Sequence, residues 1–467
     1  MRISRRYFLA GAGSSACLGI LPAAATMARA DDGFVELTAG PSQQKIYKES
    51  GPASSLWTYN GGVPGPEIRV KRGERVKVRL INQLEEPTSI HWHGVRIDNE
   101  MDGVSGLTQD AVPPGETFEY DFVTPDAGTY WYHAHNKSWQ QVGRGLYGPL
   151  IVEEEEPAFG LDQDLTLILD DWRLDREGAL DLESFGSLMD WSHAGRLGNW
   201  LTVNGASLPR FNLVARAAHR VRLINASNAR VLELDLSDLG GKLIALDGQP
   251  LKEAMDVPSG GFLMGPGQRA DLVVVPAEGR ELALREISGA DPFDVARFAI
   301  LPEGTVRASY PTLMANALPE PDLTSARKLV LDMTGGAMGQ MAGMIHGGEP
   351  LTRERMRETD QLWGLNGVAG MPEVPFFRAS SGETVLLEIV NDTAFPHAMH
   401  MHGHHFRIVE QSRAMVEDTG AFRDTVLVAA GESVRIAFVA DNPGKWLLHC
   451  HMLEHAAAGM MTWFEVL

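Results

Sequence analysis

Two distant stretches of this chain lie over each other without a gap. "FVTPDAGTYWYHAH" (Phe122 to His135) and "FVADNPGKWLLHCH" (Phe438 to His451) share Phe-Val at the start, Gly in the seventh place, an aromatic in the ninth and His-x-His at the end. A second pair behaves alike. "GERVKVRLINQLEEPTSIHWHG" (Gly73 to Gly94) matches "GETVLLEIVNDTAFPHAMHMHG" (Gly382 to Gly403), with Asn82 on Asn391, Pro87 on Pro396, and His-x-His-Gly closing both. The middle of the chain carries a third copy, "HRVRLINASNARVLELDLSD" (His219 to Asp238), in which Leu234 and Leu236 stand where His91 and His93 stand in the first. Self-similarity of this kind constrains the fold more than any single residue does, because each copy must build the same supersecondary unit.

The local texture of every copy is β. Short alternating runs such as "VKVRLIN", "ADLVVV" and "VRIAFVA" are broken by Gly, Pro, Asn and Asp, the pattern of strands that bury one face. Three consecutive β-sandwich domains are expected, at 31–155, 156–318 and 319–467, with seams at the acidic "EEEE" and the Pro-rich "ALPEPDL".

On a strand, residues two apart face the same side, about 6.5–7 Å from each other. Each His-x-His can therefore present two imidazoles to one metal or to two neighbouring ones. One such pair is weak evidence. Here there are four, His91/His93, His133/His135, His400/His402 and His449/His451, holding eight of the 15 histidines and dividing equally between the outer units. Scattered surface histidines do not produce that pattern. Cys450 sits between His449 and His451 and must point the other way, toward a second site. A thiolate, two imidazoles and a weak methionine make a trigonal blue-copper arrangement. His455, Met460 and His397 are the candidates to complete it, whereas domain 1 has Thr88 and Ala134 in the places of His397 and Cys450.

Only one other cysteine exists, Cys17, in "SRRYFLAGAGSSACLGILPAAATMARA", where Arg5-Arg6 precede a mildly apolar run ending in Ala28-Arg29-Ala30. Residues 1–30 read as a twin-arginine export signal, cleaved after about Ala30. A Sec signal or a membrane anchor is the alternative, but the run is short and rich in Gly and Ser. A lipoprotein at Cys17 fits poorly beside Ser14 and Ser15. The expected location is periplasmic, with the twin-arginine translocase as a partner and no stable membrane anchor. The formal net charge of −20 argues against nucleic acid or an anionic membrane as a partner.

With "HWHG", "HAH", "HAMHMHGH" and "HCHMLEHAAAGM" in hand, the chain resembles the multicopper oxidases over its length beyond the signal. The resemblance implies an all-β chain of three consecutive cupredoxin-like Greek-key β-sandwich domains and four copper ions. Carried over by position, it implies a type 1 copper on His397, Cys450 and His455 with Met460 axial. It implies a type 2 copper on His91 and His400, and a type 3 pair on His93, His133, His135, His402, His449 and His451. The trinuclear cluster would lie between domains 1 and 3, with domain 2 structural. The implied reaction is one-electron oxidation of a reducing substrate at type 1 copper, through Cys450, coupled to reduction of dioxygen to water. Asp102, nine residues after His93, matches the family position of an acid near the cluster; an ordinary Asp-Gly turn is the other reading. His404 and His405 are expected to support ligands, and His193 and His219 to have no metal role.

The substrate is less constrained. "DMTGGAMGQMAGMIHGGEPLTRERM" (Asp332 to Met356) is rich in thioethers, soft donors suited to Cu(I). Met338, Met341 and Met344 are the candidate substrate segment; an incidental Met content is the alternative. Phenols, aromatic amines or Cu(I) are the expected donors. A dedicated cuprous oxidase for copper tolerance comes second, and a non-catalytic cell-division or assembly scaffold of the same fold third.

Overall fold

The computed structural model describes residues 33–48, 50–160, 163–258, 260–302, 312–411 and 420–467. The export segment and Cys17 lie outside them. No helix among the described residues is long and apolar enough to cross a membrane.

The fold is all-β. Two four-stranded sheets span Val35–Glu153, a six- and a five-stranded sheet span Asp164–Leu301, and a second such pair spans Arg327–Val466, accompanied by a small two-stranded ribbon. Among the described residues no strand crosses residues 155–156 or 318–319. Within each unit the repeated strand (Arg75–Asn82, His219–Asn225, Glu383–Asn391) holds the same place. It pairs parallel with the unit's first long strand on one side and antiparallel with Thr117–Val123, Arg269–Val274 or Ser433–Ala440 on the other.

The asparagine that closes each repeated strand explains why it recurs. Its Oδ1 accepts the backbone N–H two residues on (Leu84, Ser227, Thr393), and its Nδ2 donates to carbonyls across the unit (Val112, Met264, Val428). The side chain thus makes an Asx turn and latches the returning strand.

Alternation sets the cores. In Arg75–Asn82 every second residue is buried, as one packed face requires. His219–Asn225 is buried throughout, because its second face meets the first unit. There Arg222, paired with Asp164 of its own unit at 2.6 Å, donates to Thr129 Oγ1 of the first unit at 2.7 Å. Leu234 and Leu236, which replace the first histidine pair, are fully buried in the middle core. Each contributes about 1.5–3 kcal/mol of burial where the outer units spend the same positions on imidazoles.

Candidate metal centre

Strand register brings the histidines together. Ile90–His93 pairs antiparallel with Gly128–Ala134, setting His91 opposite His133. His397–Met401 pairs with Gly444–Cys450, setting His400 opposite His449. The two sheets then meet edge to edge through rings from different units. His91 stacks on His402 with centroids 3.8 Å apart, and His93 on His400 at 3.7 Å.

Ligand-type atoms gather within 4.8 Å of one another in His93–His133–His451, in His135–His402–His449 and in His91–His93–His400. All eight histidines expected at the cluster are therefore in these groups, four from each outer unit. A separate group is His397–Cys450–His455. Cys450 Sγ is 3.5 Å from His397 Nδ1 and 3.9 Å from His455 Nδ1, and the two nitrogens are 3.1 Å apart. Cys450 turns away from its neighbours, as strand alternation requires. Met460 is fully buried, and its carbonyl accepts the Cys450 N–H at 3.0 Å.

The electrostatics suit a cation. Burial holds the imidazoles of His93, His133, His402, His449, His451 and His397 well below their usual value, His135 at about 3 and His455 at about 4. They are neutral, the form that binds metal. Burial also pushes the Cys450 thiol up to about 12, so a thiolate exists there only beside a cation. Among the described residues, Nε2 of His91, His133, His400 and His451 and Nδ1 of His93 are buried without a hydrogen-bond partner. Each such orphan costs about 1–3 kcal/mol, a cost that metal coordination removes. Imidazole with one thiolate is a donor set that copper favours, and the residues fit copper.

Two carboxylates brace the stacked pairs. Asp102, fully buried, faces His91 Nδ1 (3.2 Å) and His402 Nδ1 (3.0 Å). Asp424, also fully buried, faces His93 Nε2 (3.4 Å) and His400 Nδ1 (3.6 Å), and its backbone carbonyl takes the His400 ring N–H at 3.0 Å. Asp102 therefore lies against the histidine cluster. Asp424 was missed.

Profiles described as multicopper oxidase match residues 42–157 and 347–467. Multicopper oxidase MmcO of Mycobacterium tuberculosis is 30% identical, with 99% of this chain and 96% of that protein covered. The chain belongs to the multicopper oxidase family. The crystal structure of a multi-copper oxidase from Pseudomonas thermotolerans superposes with a TM-score of 0.81 at 34% identity, covering 92% of this chain and 98% of the other. Laccase-1 of Botryotinia fuckeliana is 27% identical, covering 90% of this chain and 80% of that one. This multicopper oxidase is thus a copper-dependent oxidoreductase that couples oxidation of a reducing substrate to reduction of dioxygen.

Its thiol-bearing site is closed from outside by the middle unit. His455 is fully buried, and its Nε2–H donates to the His193 carbonyl at 2.6 Å. His193 follows the short helix Leu188–Ser192, whose Leu188 and Met189 are exposed. The helix bearing His455, Leu453–Ala457, is tied to the same unit through Glu454, which accepts from Asn228 Nδ2 at 2.8 Å. The Trp363 ring lies 4.4 Å from that of His455 and donates its N–H to the Trp191 carbonyl. His193 thus acts through its backbone, which the sequence reading did not foresee.

The three candidate methionines do not share one environment. Met344 is buried with Leu351 and Ala369, Met341 and Met356 pack against them, and Met338 is 86% exposed. The N–H of Ala337, next to Met338, donates to the Ser192 carbonyl at 2.7 Å, which ties this segment to the cap over His455. His404 packs among Phe438, Trp446 and Phe464, and His405 Nε2 lies 3.8 Å from Asp424.

Proposed function

We propose that this multicopper oxidase holds four copper ions and oxidises phenols, aromatic amines or Cu(I) in the periplasm, reached by twin-arginine export of residues 31–467. In this reading His397, Cys450 and His455 bind type 1 copper with Met460 axial, and His91 and His400 bind type 2. His93, His133 and His451 bind one type 3 ion, and His135, His402 and His449 the other. The domains divide at 31–155, 156–318 and 319–467. The observation that carries the reading is the pairing of two donor sets on one strand. Cys450 faces an imidazole pair on one side, while His449 and His451 on the other join six histidines from both outer units.

Bound copper would supply a one-electron centre at the thiolate site and three more at the cluster, together the four electrons that reduction of dioxygen to two waters takes. The chain's own residues do the rest. Cys450, flanked by His449 and His451, is the shortest covalent connection between the two sites. The cap at His193 keeps solvent and bulky donors off His455. Buried neutral imidazoles hold no protons to compete with metal. Asp102, its carboxylate oxygens against His91 and His402, can hold a proton beside the cluster and deliver it as water forms.

The laccase-named relative supports phenolic donors. Exposed Met338, tied to the cap, favours Cu(I) as a second reading. The complete ligand set speaks against a non-catalytic scaffold. The test is a loaded protein assayed for copper content, blue absorption and oxygen uptake with Cu(I), a phenol and an aromatic amine side by side. Four ions per chain, a blue band and uptake with all three are expected. Fewer ions or no blue band would defeat the assignment, and uptake with Cu(I) alone would select the cuprous oxidase.

A further inference from the structure

The middle unit, which contributes no histidine to the cluster, places a guanidinium directly behind it. Three stretches that return from the turn to the strand beside the repeated asparagine strand align without a gap: "VPPGETFEYDFV" from Val112, "MGPGQRADLVVV" from Met264 and "VAAGESVRIAFV" from Val428. Register confirms the alignment, since Thr117 pairs with Ile81, Arg269 with Ile224 and Ser433 with Val390, each one residue before the repeated asparagine. Where both outer units carry a small hydroxyl, the middle unit carries arginine.

Arg269 is fully buried, and its donors reach all three units. Nε donates to the Thr129 carbonyl of the first unit at 3.1 Å, and Nη1 to the Gly267 carbonyl of its own at 3.0 Å. Nη1 and Nη2 grip the two oxygens of Asp424 in the third, at 2.8 and 2.5 Å. Its surroundings are shaped for it. Gly94 has φ +85°, and a Cβ there would collide with the guanidinium and with Asp424, which gives the Gly of "HWHG" a reason. Gly267 has φ +83°, and a Cβ there would press on the rings of His93 and His451.

A bidentate arginine fixes the plane of a carboxylate, which a point charge does not. Asp424 so fixed faces His93 and His400, one stacked pair with a ring from each outer unit. Asp102, bracing the other pair, has no Arg or Lys partner among the described residues. We propose that Arg269 is a positioning residue of the trinuclear copper site, orienting His93 and His400 through Asp424. The inference rests on the copper assignment proposed above.

The test uses Arg269→Lys, which keeps the buried charge but loses the planar fork, and the doubly neutral Arg269→Gln/Asp424→Asn. Each is loaded with copper and compared with the native protein by copper content, type 2 EPR signal, blue absorption and thermal midpoint. Residues that orient metal ligands change affinity about 10–100-fold. Arg269→Lys should therefore lose type 2 copper to a competing chelator at a concentration about 10-fold lower, or more, with its blue absorption unchanged. The doubly neutral variant should regain thermal stability without regaining the native type 2 signal. Native type 2 binding in Arg269→Lys, or joint recovery of stability and signal in the double variant, would reduce Arg269 to a buried ion pair and overturn the proposal. Where one variant fails to fold, the other decides. A native protein lacking a type 2 signal would instead defeat the copper assignment, which separates the two failures.

Discussion

The first and third units build their halves of the cluster with the same parts: an antiparallel strand pair, a histidine opposite a histidine, and a buried carboxylate against two rings. They differ at two points. Ala134 lies where Cys450 lies, so only the third unit connects the cluster to a second site. Asp424 is clamped by Arg269, whereas Asp102 is held by imidazoles and its own turn. A repeat supplies matching ligand frames, and single substitutions then assign them different work. In the proposed assignment the third unit takes up electrons, and the first, with the unclamped acid, handles protons.

The sharpest way to break this comparison is Cys450→Ala, which gives the third unit the residue of the first. Blue absorption should vanish and oxidase activity should fall to background, with one copper fewer per chain and unchanged circular dichroism. A variant that stays blue would show that the thiolate is elsewhere.

Asp102→Asn comes next. It keeps the shape of the side chain but carries no transferable proton. Type 1 copper should reduce at the native rate while reoxidation by dioxygen slows about 10–100-fold, the deficit widening as pH rises and protons become scarce. Stopped-flow measurement of the two half-reactions separates these steps, and native reoxidation would return Asp102 to an ordinary turn.

Both halves share a third, smaller effect. Their buried imidazoles titrate below 6.5 when folded, so below that pH the unfolded chain binds protons that the copper-free fold refuses. Stability of the copper-free protein should therefore fall as pH drops below about 6.5. Bound copper should blunt the fall, since it binds the folded state. Thermal midpoints of both forms between about pH 7.5 and 4.5 measure this, and a flat copper-free curve would contradict it. The smallest effect belongs to Met338→Leu. It should lower cuprous oxidation modestly and leave phenol oxidation untouched, and equal losses on both donors would remove Met338 from substrate handling.

What the sequence made legible was whatever repeats or alternates. The recurring asparagine, the four His-x-His pairs and the turn of Cys450 away from its two neighbours follow from repeat and alternation alone, whereas the hydrogen bonds that make the asparagine a latch do not. Asp424 and Arg269 act across units, and no spacing encodes such a contact. Only the three-way alignment, with arginine against Thr117 and Ser433, carried a trace of it. The His193 carbonyl is a backbone acceptor with no side-chain signature. Composition counted the methionines but could not distinguish Met344, sealed in a small core, from Met338 in solvent.

The roof over His455 also separates two rates of change. The candidate ligands are interlocked across units, His91 on His402 and His93 on His400. Leu188, Met189 and Met338 lie outside that lock, on a surface that the metal never touches. Under the proposed assignment, the face that a reducing substrate meets can therefore be altered at these outward residues without moving a single ligand beneath them.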